Sequence, residues 1–378
     1  MFRDAIISAI IRLKSISIWL LLLILLLLTC GLLVMKSASF NNPSAVYFKK
    51  QSIHAAIFLL LMILVAIVDL RLIFGSAYFL YAISLALLIS VTIVGHTAMG
   101  ATRWLNLGFI KMQPSEIIKL TLVLALARYF HFKEAKDLRH FHNLIIPIAL
   151  VAVPLIIILK QPDLGTAITL LCIAIIIFFL SGVRVWAFVA SFSLVAAACP
   201  IIWRYLHDYQ KKRILVFLNP ESDPLRSGYN IIQSKIAIGS GGLFGKGMLG
   251  STQSQLDFLP EHQTDFVFSL FAESFGFVGC ILLIALFLML MASGVHFALK
   301  TKHRFGKLLI LGLTSVFSIN VLINLGMVIG LLPVVGIPLP FLSYGGSSLA
   351  TTLILFGIIM NVAINYNAIL PNSMQSYN

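Results

Sequence analysis

Charge is scarce in this chain. Only 11% of its 378 residues are Asp, Glu, Lys or Arg, 13 acidic and 27 basic. An ordinary soluble domain carries about a quarter, so a water-exposed globule is excluded. Cysteine is scarce too. Cys30, Cys172, Cys199 and Cys280 all lie in apolar runs and form no C-x-x-C pair. They read as small core hydrophobes, and neither a disulfide framework nor a metal site is expected. No small-residue cleavage site follows the first apolar run, which is therefore expected to remain as a signal anchor. The alternation over about ten residues that marks a barrel strand is missing, since 19–34 and 167–182 are solidly apolar. A Walker loop is absent as well. Ser240 stands where its first glycine belongs, and Gly247 where Ser or Thr is required. Gly245, Gly247 and Gly250 satisfy G-x-G-x-x-G, but no strand precedes them, so they are read as points where the backbone turns tightly.

What remains is oil. Hydrophobic residues make up 60% of the chain, and mean hydropathy is +1.02. Repeated apolar runs are long enough to cross ~30 Å of hydrocarbon as helices. They fall near 17–35, 52–68, 77–95, 114–130, 143–159, 164–182, 186–204, 266–291, 308–330 and 347–368. The expected fold class is an all-α polytopic membrane protein of about ten transmembrane helices, one integral membrane domain over 1–378. A single large loop, about 205–265, separates helices 7 and 8. An even number of spans places both termini on one side. Arg71, Arg184 and the basic runs at 133–139 and 300–307 then weight the N-terminal side roughly two to one, which makes it cytoplasmic and the long loop extracytoplasmic. The net charge of +14 is accounted for by basic loops at the headgroups, so nucleic acid is not an expected partner. Lys211, Lys212 and Arg213 suit that headgroup region or form a solvated run.

The rare chemistry-bearing side chains cluster. Residues 230–273 carry Lys235, Lys246, Asp257, Glu261, His262, Asp265 and Glu273. Ile231, Ile232, Ile236 and Ile238 suggest a short half-buried helix bearing Lys235. Pro114 and Ser115 open the fourth span, with Glu116 in its first turn. Glu116 and Lys119 stand i,i+3 on one face. They either pair to fix helix packing or, with Arg103 in the preceding loop, line an anion-binding cavity. Asp163 caps the sixth helix, takes part in chemistry, or does both. Pro333, Pro338 and Pro340 break the apolar stretch 331–348, where irregular backbone is tolerated only in a protein interior or along a cavity. Ser343, Tyr344, Ser347 and Ser348 either satisfy that backbone or touch a ligand. Arg103, Lys119, Lys235 and Lys246 suit an anionic substrate such as a lipid-linked phosphate, and Asp265 beside His262 suits a general base. These features fit an enzyme acting on a lipid carrier, a lipid transporter or an ion-coupled transporter.

The motifs G-A-T-R-W-L, Q-P-S-E-I-I-K, Q-P-D-L-G-T, N-P-E-S-D-P-L-R-S-G-Y-N-I-I-Q-S-K-I-A-I-G-S-G-G, F-L-P-E-H-Q-T-D-F-V-F and L-P-V-V-G-I-P-L-P-F-L-S-Y-G-G-S-S resemble, in order and spacing, the SEDS family of shape, elongation, division and sporulation proteins. The unbroken S-Q-L-D-F-L-P-E-H-Q-T-D-F and short tails are closer to the rod-shape (RodA) branch than to the division (FtsW) branch. The resemblance implies ten transmembrane helices in the bacterial cytoplasmic membrane and a glycosyltransferase that polymerises lipid II into glycan strands. It also implies a class B penicillin-binding protein and the elongation machinery as partners. By the same resemblance Asp265 is the essential loop aspartate, Arg103, Glu116 and Lys119 serve the outer cavity, and Asp163 is the Q-P-D aspartate. His262 receives no essential role. Lys235, Lys246 and Ser343 stand as further substrate contacts. No cofactor is implied beyond a divalent cation that could assist the leaving pyrophosphate. The alternatives are a lipid II flippase and the division-specific polymerase. A flippase needs a polar path through the bilayer, whereas the ionisable groups here sit towards the outer edge.

Overall fold

The computed structural model describes residues 11–38, 47–94, 96–98, 101–106, 111–134, 136–205, 208–223, 227–247, 250 and 263–371. Among these residues ten long helices form, close to the ten expected spans. They are α1 (Ile18–Ala38), α2 (Tyr47–Ile67), α3 (Leu70–Val94), α4 (Pro114–His131), α5 (His142–Lys160), α6 (Leu164–Ser181), α7 (Val185–Tyr205), α10 (Val267–Lys300), α11 (Arg304–Val328) and α12 (Gly346–Ile364). Two shorter helices, α8 (Asp208–Leu218) and α9 (Ser227–Ser240), lie in the long loop. Eight of the ten long helices are apolar enough over a sufficient length to cross a membrane. Helix α4 carries Glu116, Lys119 and Arg128 but is surrounded by protein, with nearly every residue buried. In α7 the apolar run covers Val185–Pro200 among the described residues. Leu22, Leu72, Phe79, Phe192, Leu282 and Leu322 point outward as lipid would require. The protein is a polytopic helical membrane protein.

Helix α4 packs against α3, α11 and α6, and α12 lies along α2. Aromatic contacts among Phe317, Phe341 and Phe356 join α11, the proline-broken segment and α12. The loop between α3 and α4 holds three short antiparallel strands, His96–Ala98, Ala101–Asn106 and Lys111–Met112, in the order β1-β2-β3.

One expectation is corrected. The eighth span was expected near 266–291, but α10 continues to Lys300 and is kinked at Gly276, whose φ/ψ of 65°/−167° is non-helical. Phe277 and Val278 would normally donate to the carbonyls of Glu273 and Ser274. Instead they donate to Gly242 and Leu243, at 2.9 and 3.1 Å, while Glu273 and Ser274 accept from Lys246 N and Gly247 N, at 2.9 and 3.1 Å. The loop thus takes up all four backbone groups freed by the break, as a break inside a membrane protein demands. Gly245 and Gly247 adopt positive φ of 79° and 76° to make this approach, in agreement with the tight turns read from their sequence.

Candidate active site

The segment 331–345 has no helix or strand, as its prolines predict. It is nevertheless buried over much of its length and organises one end of the bundle. Gly31 of α1 lies against the Phe341 carbonyl, and Gly165 of α6 against Val335. Gln51 of α2 donates from Nε2 to the Ser343 carbonyl at 3.2 Å and accepts from Gly345 N at 3.4 Å.

This segment holds the residues that lead into α10. Tyr344 N donates to the Gln263 carbonyl at 2.8 Å, and Ser343 Oγ donates to the Thr264 carbonyl at 2.5 Å. Asn324 of α11 donates from Nδ2 to the Asp265 carbonyl at 2.9 Å and to the Ile337 carbonyl at 2.7 Å. Gly336 has φ of +75°, and a Cβ there would lie 3.3 Å from Asp265 Oδ2. A glycine is needed both for the turn and for the carboxylate beside it. Asp265 itself is half-buried, two residues before the first turn of α10.

Glu116 and Lys119 form the pair their spacing suggested, Nζ to Oε1 at 2.7 Å, with side-chain exposures of only 9% and 2%. Glu116 lines a small cavity with Asn320, Pro340, Thr351 and Thr352. Asn320 and Asn324 are one turn apart, so α11 contributes an amide to the Glu116 cavity and another to the Asp265 backbone. Asp163 is the N-cap of α6. It accepts from Thr166 N at 3.3 Å and from Thr166 Oγ1 at 2.9 Å. Gln113 Nε2 donates to Asp163 Oδ2, the oxygen that also accepts from Thr166 Oγ1, at 3.5 Å, and Gln113 N donates to Ser347 Oγ at 3.1 Å. The cap reading of Asp163 therefore holds, and the capped turn abuts the start of α4.

The remaining sequence candidates lie apart from this cluster or have other commitments. Lys246 pairs with the fully buried Glu273, Nζ to Oε1 at 3.0 Å, at the α10 kink. Lys235 is exposed on α9 and lies over Gly330, where a side chain would strike it. Helix α9 forms where the isoleucines predicted it. Ser234 docks it through 2.7 Å contacts to Ser269 Oγ and the Val328 carbonyl. Ser343 is buried and uses its hydroxyl on Leu339 N, at 2.7 Å, as well as on Thr264. Arg103 lies on the strand Ala101–Asn106, and its side chain is outside what is described. Asp257, Glu261 and His262 lie outside the described residues. No three His, Cys, Asp or Glu side chains gather as a metal cluster among the described residues. Sequence reasoning missed Gln51, Asn320 and Asn324. For Asn320 and Asn324 the available signal was an amide every turn in an otherwise apolar span, which is costly in lipid and favours an inward partner; Gln51, in the polar start of α2, carried no such signal.

The profile of the FtsW, RodA and SpoVE group, described as cell cycle protein, matches residues 14–368. The chain belongs to this family. It is 44% identical over 306 residues to the peptidoglycan glycosyltransferase MrdB of Escherichia coli K12, covering 80% of this chain and 82% of that one. It is 37% identical over 335 residues to a probable peptidoglycan glycosyltransferase FtsW of Geobacter metallireducens, covering 87% and 88%. A chain from a solved peptidoglycan synthase complex, studied for how polymerization and crosslinking are coordinated, superposes with a TM-score of 0.82 at 32% identity, over 93% of this chain and 98% of that one. The crystal structure of the Thermus thermophilus rod shape determining protein RodA superposes with a TM-score of 0.70 at 30% identity, covering 93% and 98%. The family resemblance read from the motifs is thus borne out over nearly the whole chain.

Proposed function

We propose that this protein is a peptidoglycan glycosyltransferase that polymerises lipid II into glycan strands during cell elongation. The observation that carries the reading is the 44% identity with the glycosyltransferase MrdB along 80% of the chain. The geometry supports it with an acidic residue, Asp265, fixed at the head of a long helix and with a buried Glu116–Lys119 pair against the same helix α11.

Asp265 is the general base. It takes the proton of the acceptor's sugar 4-hydroxyl as that oxygen attacks the anomeric carbon of the lipid-linked donor. The new β-1,4 bond forms with inversion. The bond to the pyrophosphate breaks, its electron pair leaving with undecaprenyl pyrophosphate. Arg103 and Lys119 stabilise the charge on that leaving group, and the ion pair with Glu116 keeps the Lys119 ammonium oriented beforehand. Asp163 holds the neighbouring turn, and Ser343 holds the chain entering α10. Lys235, exposed on α9, offers a further cationic contact to the anionic substrate, and Lys246 holds Glu273 at the α10 kink. The protein sits in the bacterial cytoplasmic membrane as one domain, both termini cytoplasmic, and works on the outer face. Its partner is a class B penicillin-binding protein that cross-links the strand, within the elongation machinery.

Purified protein given labelled lipid II in detergent is expected to form polymer. Transbilayer movement of lipid II in vesicles without polymer would replace the enzyme with a flippase.

A further inference from the structure

We infer that Asn324 is the positioning residue for Asp265, and this rests on the glycosyltransferase reading above. Asn324 is fully buried in α11. Its two Nδ2 hydrogens go to two carbonyls that belong to no helix, Asp265 at 2.9 Å and Ile337 at 2.7 Å. Ile337 directly follows Gly336, the residue against which the Asp265 carboxylate lies. One amide therefore ties the backbone of Asp265 to the turn that faces its side chain. Among the described residues nothing donates to the buried amide oxygen of Asn324. Its two donors are what the site uses.

The geometry sets a restricted path for the carboxylate. Gln263 and Thr264 are held by Tyr344 N and Ser343 Oγ, and Val267 begins the helix. Asp265 lies between these fixed points, and Asn324 anchors its carbonyl. Loss of this bond loosens the Asp265 backbone, and the carboxylate shifts with it relative to the acceptor hydroxyl. Misplacement by about 1 Å typically lowers turnover on the order of 10²-fold.

A matched control exists in the same bundle. Asn361 of α12 is also fully buried. It donates from Nδ2 to the carbonyls of Val65, Ala66 and Val68, at 3.0, 3.1 and 2.6 Å, and among the described residues its amide oxygen likewise has no partner. It clamps the turn between α2 and α3, away from Asp265.

The experiment compares Asn324→Leu with Asn361→Leu in the full-length protein, reading thermal midpoint, kcat and KM for lipid II polymerisation. Both variants are expected to lower the midpoint by a similar amount. Only Asn324→Leu is expected to lose about 10–10²-fold in kcat, with KM retained. A cycle with Asp265→Asn separates positioning from folding, because residues that act as a unit are non-additive. Asn324→Leu is expected to add little further loss on the Asp265→Asn background. Equal kcat in Asn324→Leu and Asn361→Leu, or full additivity with Asp265→Asn, would overturn the assignment. If Asn324→Leu fails to fold, Asn324→Ser, which keeps a shorter donor, carries the same cycle and the same two outcomes. Failure of the underlying reading is visible separately, since wild-type protein would then yield no polymer or Asp265→Asn would retain full turnover.

Discussion

Asp265 and the Glu116–Lys119 pair are the side chains on which the proposed chemistry turns, and each has a competing structural duty. Asp265 stands two residues before α10, close to where a capping side chain would sit, and asparagine caps about as well as aspartate. Asparagine cannot accept the hydroxyl proton. Asp265→Asn is therefore expected to fold and to lose about 10²–10⁴-fold in turnover, measured as polymer formed per folded protein. Near-normal turnover would leave Asp265 with a structural duty only. Removing one partner of a buried pair strands the other charge, typically at about 3–5 kcal/mol, whereas replacing both with apolar groups is often neutral or stabilising. Glu116→Gln and Lys119→Met are each expected to lower the thermal midpoint and the activity. The double variant Glu116→Leu with Lys119→Met is expected to recover the midpoint but not polymerisation. Recovery of both would assign the pair to packing.

Among the elements, the kinked α10 and the loop 241–247 form a single unit. At the break in α10, four backbone hydrogen bonds exchanged between the two join the long loop to the helix that Asp265 precedes. The buried end of the Lys246–Glu273 ion pair lies at the same junction. Gly276 adopts a φ/ψ that side chains pay about 1–3 kcal/mol to enter, and a Cβ there would also strike Gly245 N and Leu243 O. Gly276→Ala is thus expected to lower the thermal midpoint and to speed proteolysis within 241–262. Gly239, on α9, has open space around its Cα, so Gly239→Ala is expected to be neutral or to stabilise by up to about 1 kcal/mol. Equal midpoints in the two variants would show that the junction does not hold the loop.

For the molecule as a whole, orientation and partnership are the open consequences. The Lys and Arg asymmetry predicts that a reporter fused after Gln253, outside the described residues, reads extracytoplasmic and one after Lys302 reads cytoplasmic. The reverse pair of signals would invert the bundle and place Asp265 on the cytoplasmic side. The chain shares its fold with a subunit of a peptidoglycan synthase complex in which polymerization and crosslinking are coordinated. Co-purification with a class B penicillin-binding protein, with faster polymerisation in the pair, is the expected outcome. Full activity alone, unchanged by that partner, would remove the coupling.

Hydropathy and local chemistry were enough to place the ten long helices, because a span must be apolar for its own length whatever its neighbours are. The same local rules placed Pro114 at a helix start, Asp163 at a cap and the proline-broken segment at 331–345. The sequence also singled out Asp265 and the Glu116–Lys119 spacing. Only the tertiary structure decided which groups answer one another across 59 residues, as Asn324 and Asp265 do, or 292, as Gln51 and Ser343 do. It gave Lys246 to Glu273 and the Ser343 hydroxyl to Thr264, where sequence had offered both to a substrate. It also put a kink at Gly276 in a run whose hydropathy reads as continuous helix. The reason is physical: apolar periodicity depends on the surrounding solvent, whereas a polar group's partner depends on which distant backbone the packed bundle brings within 3 Å.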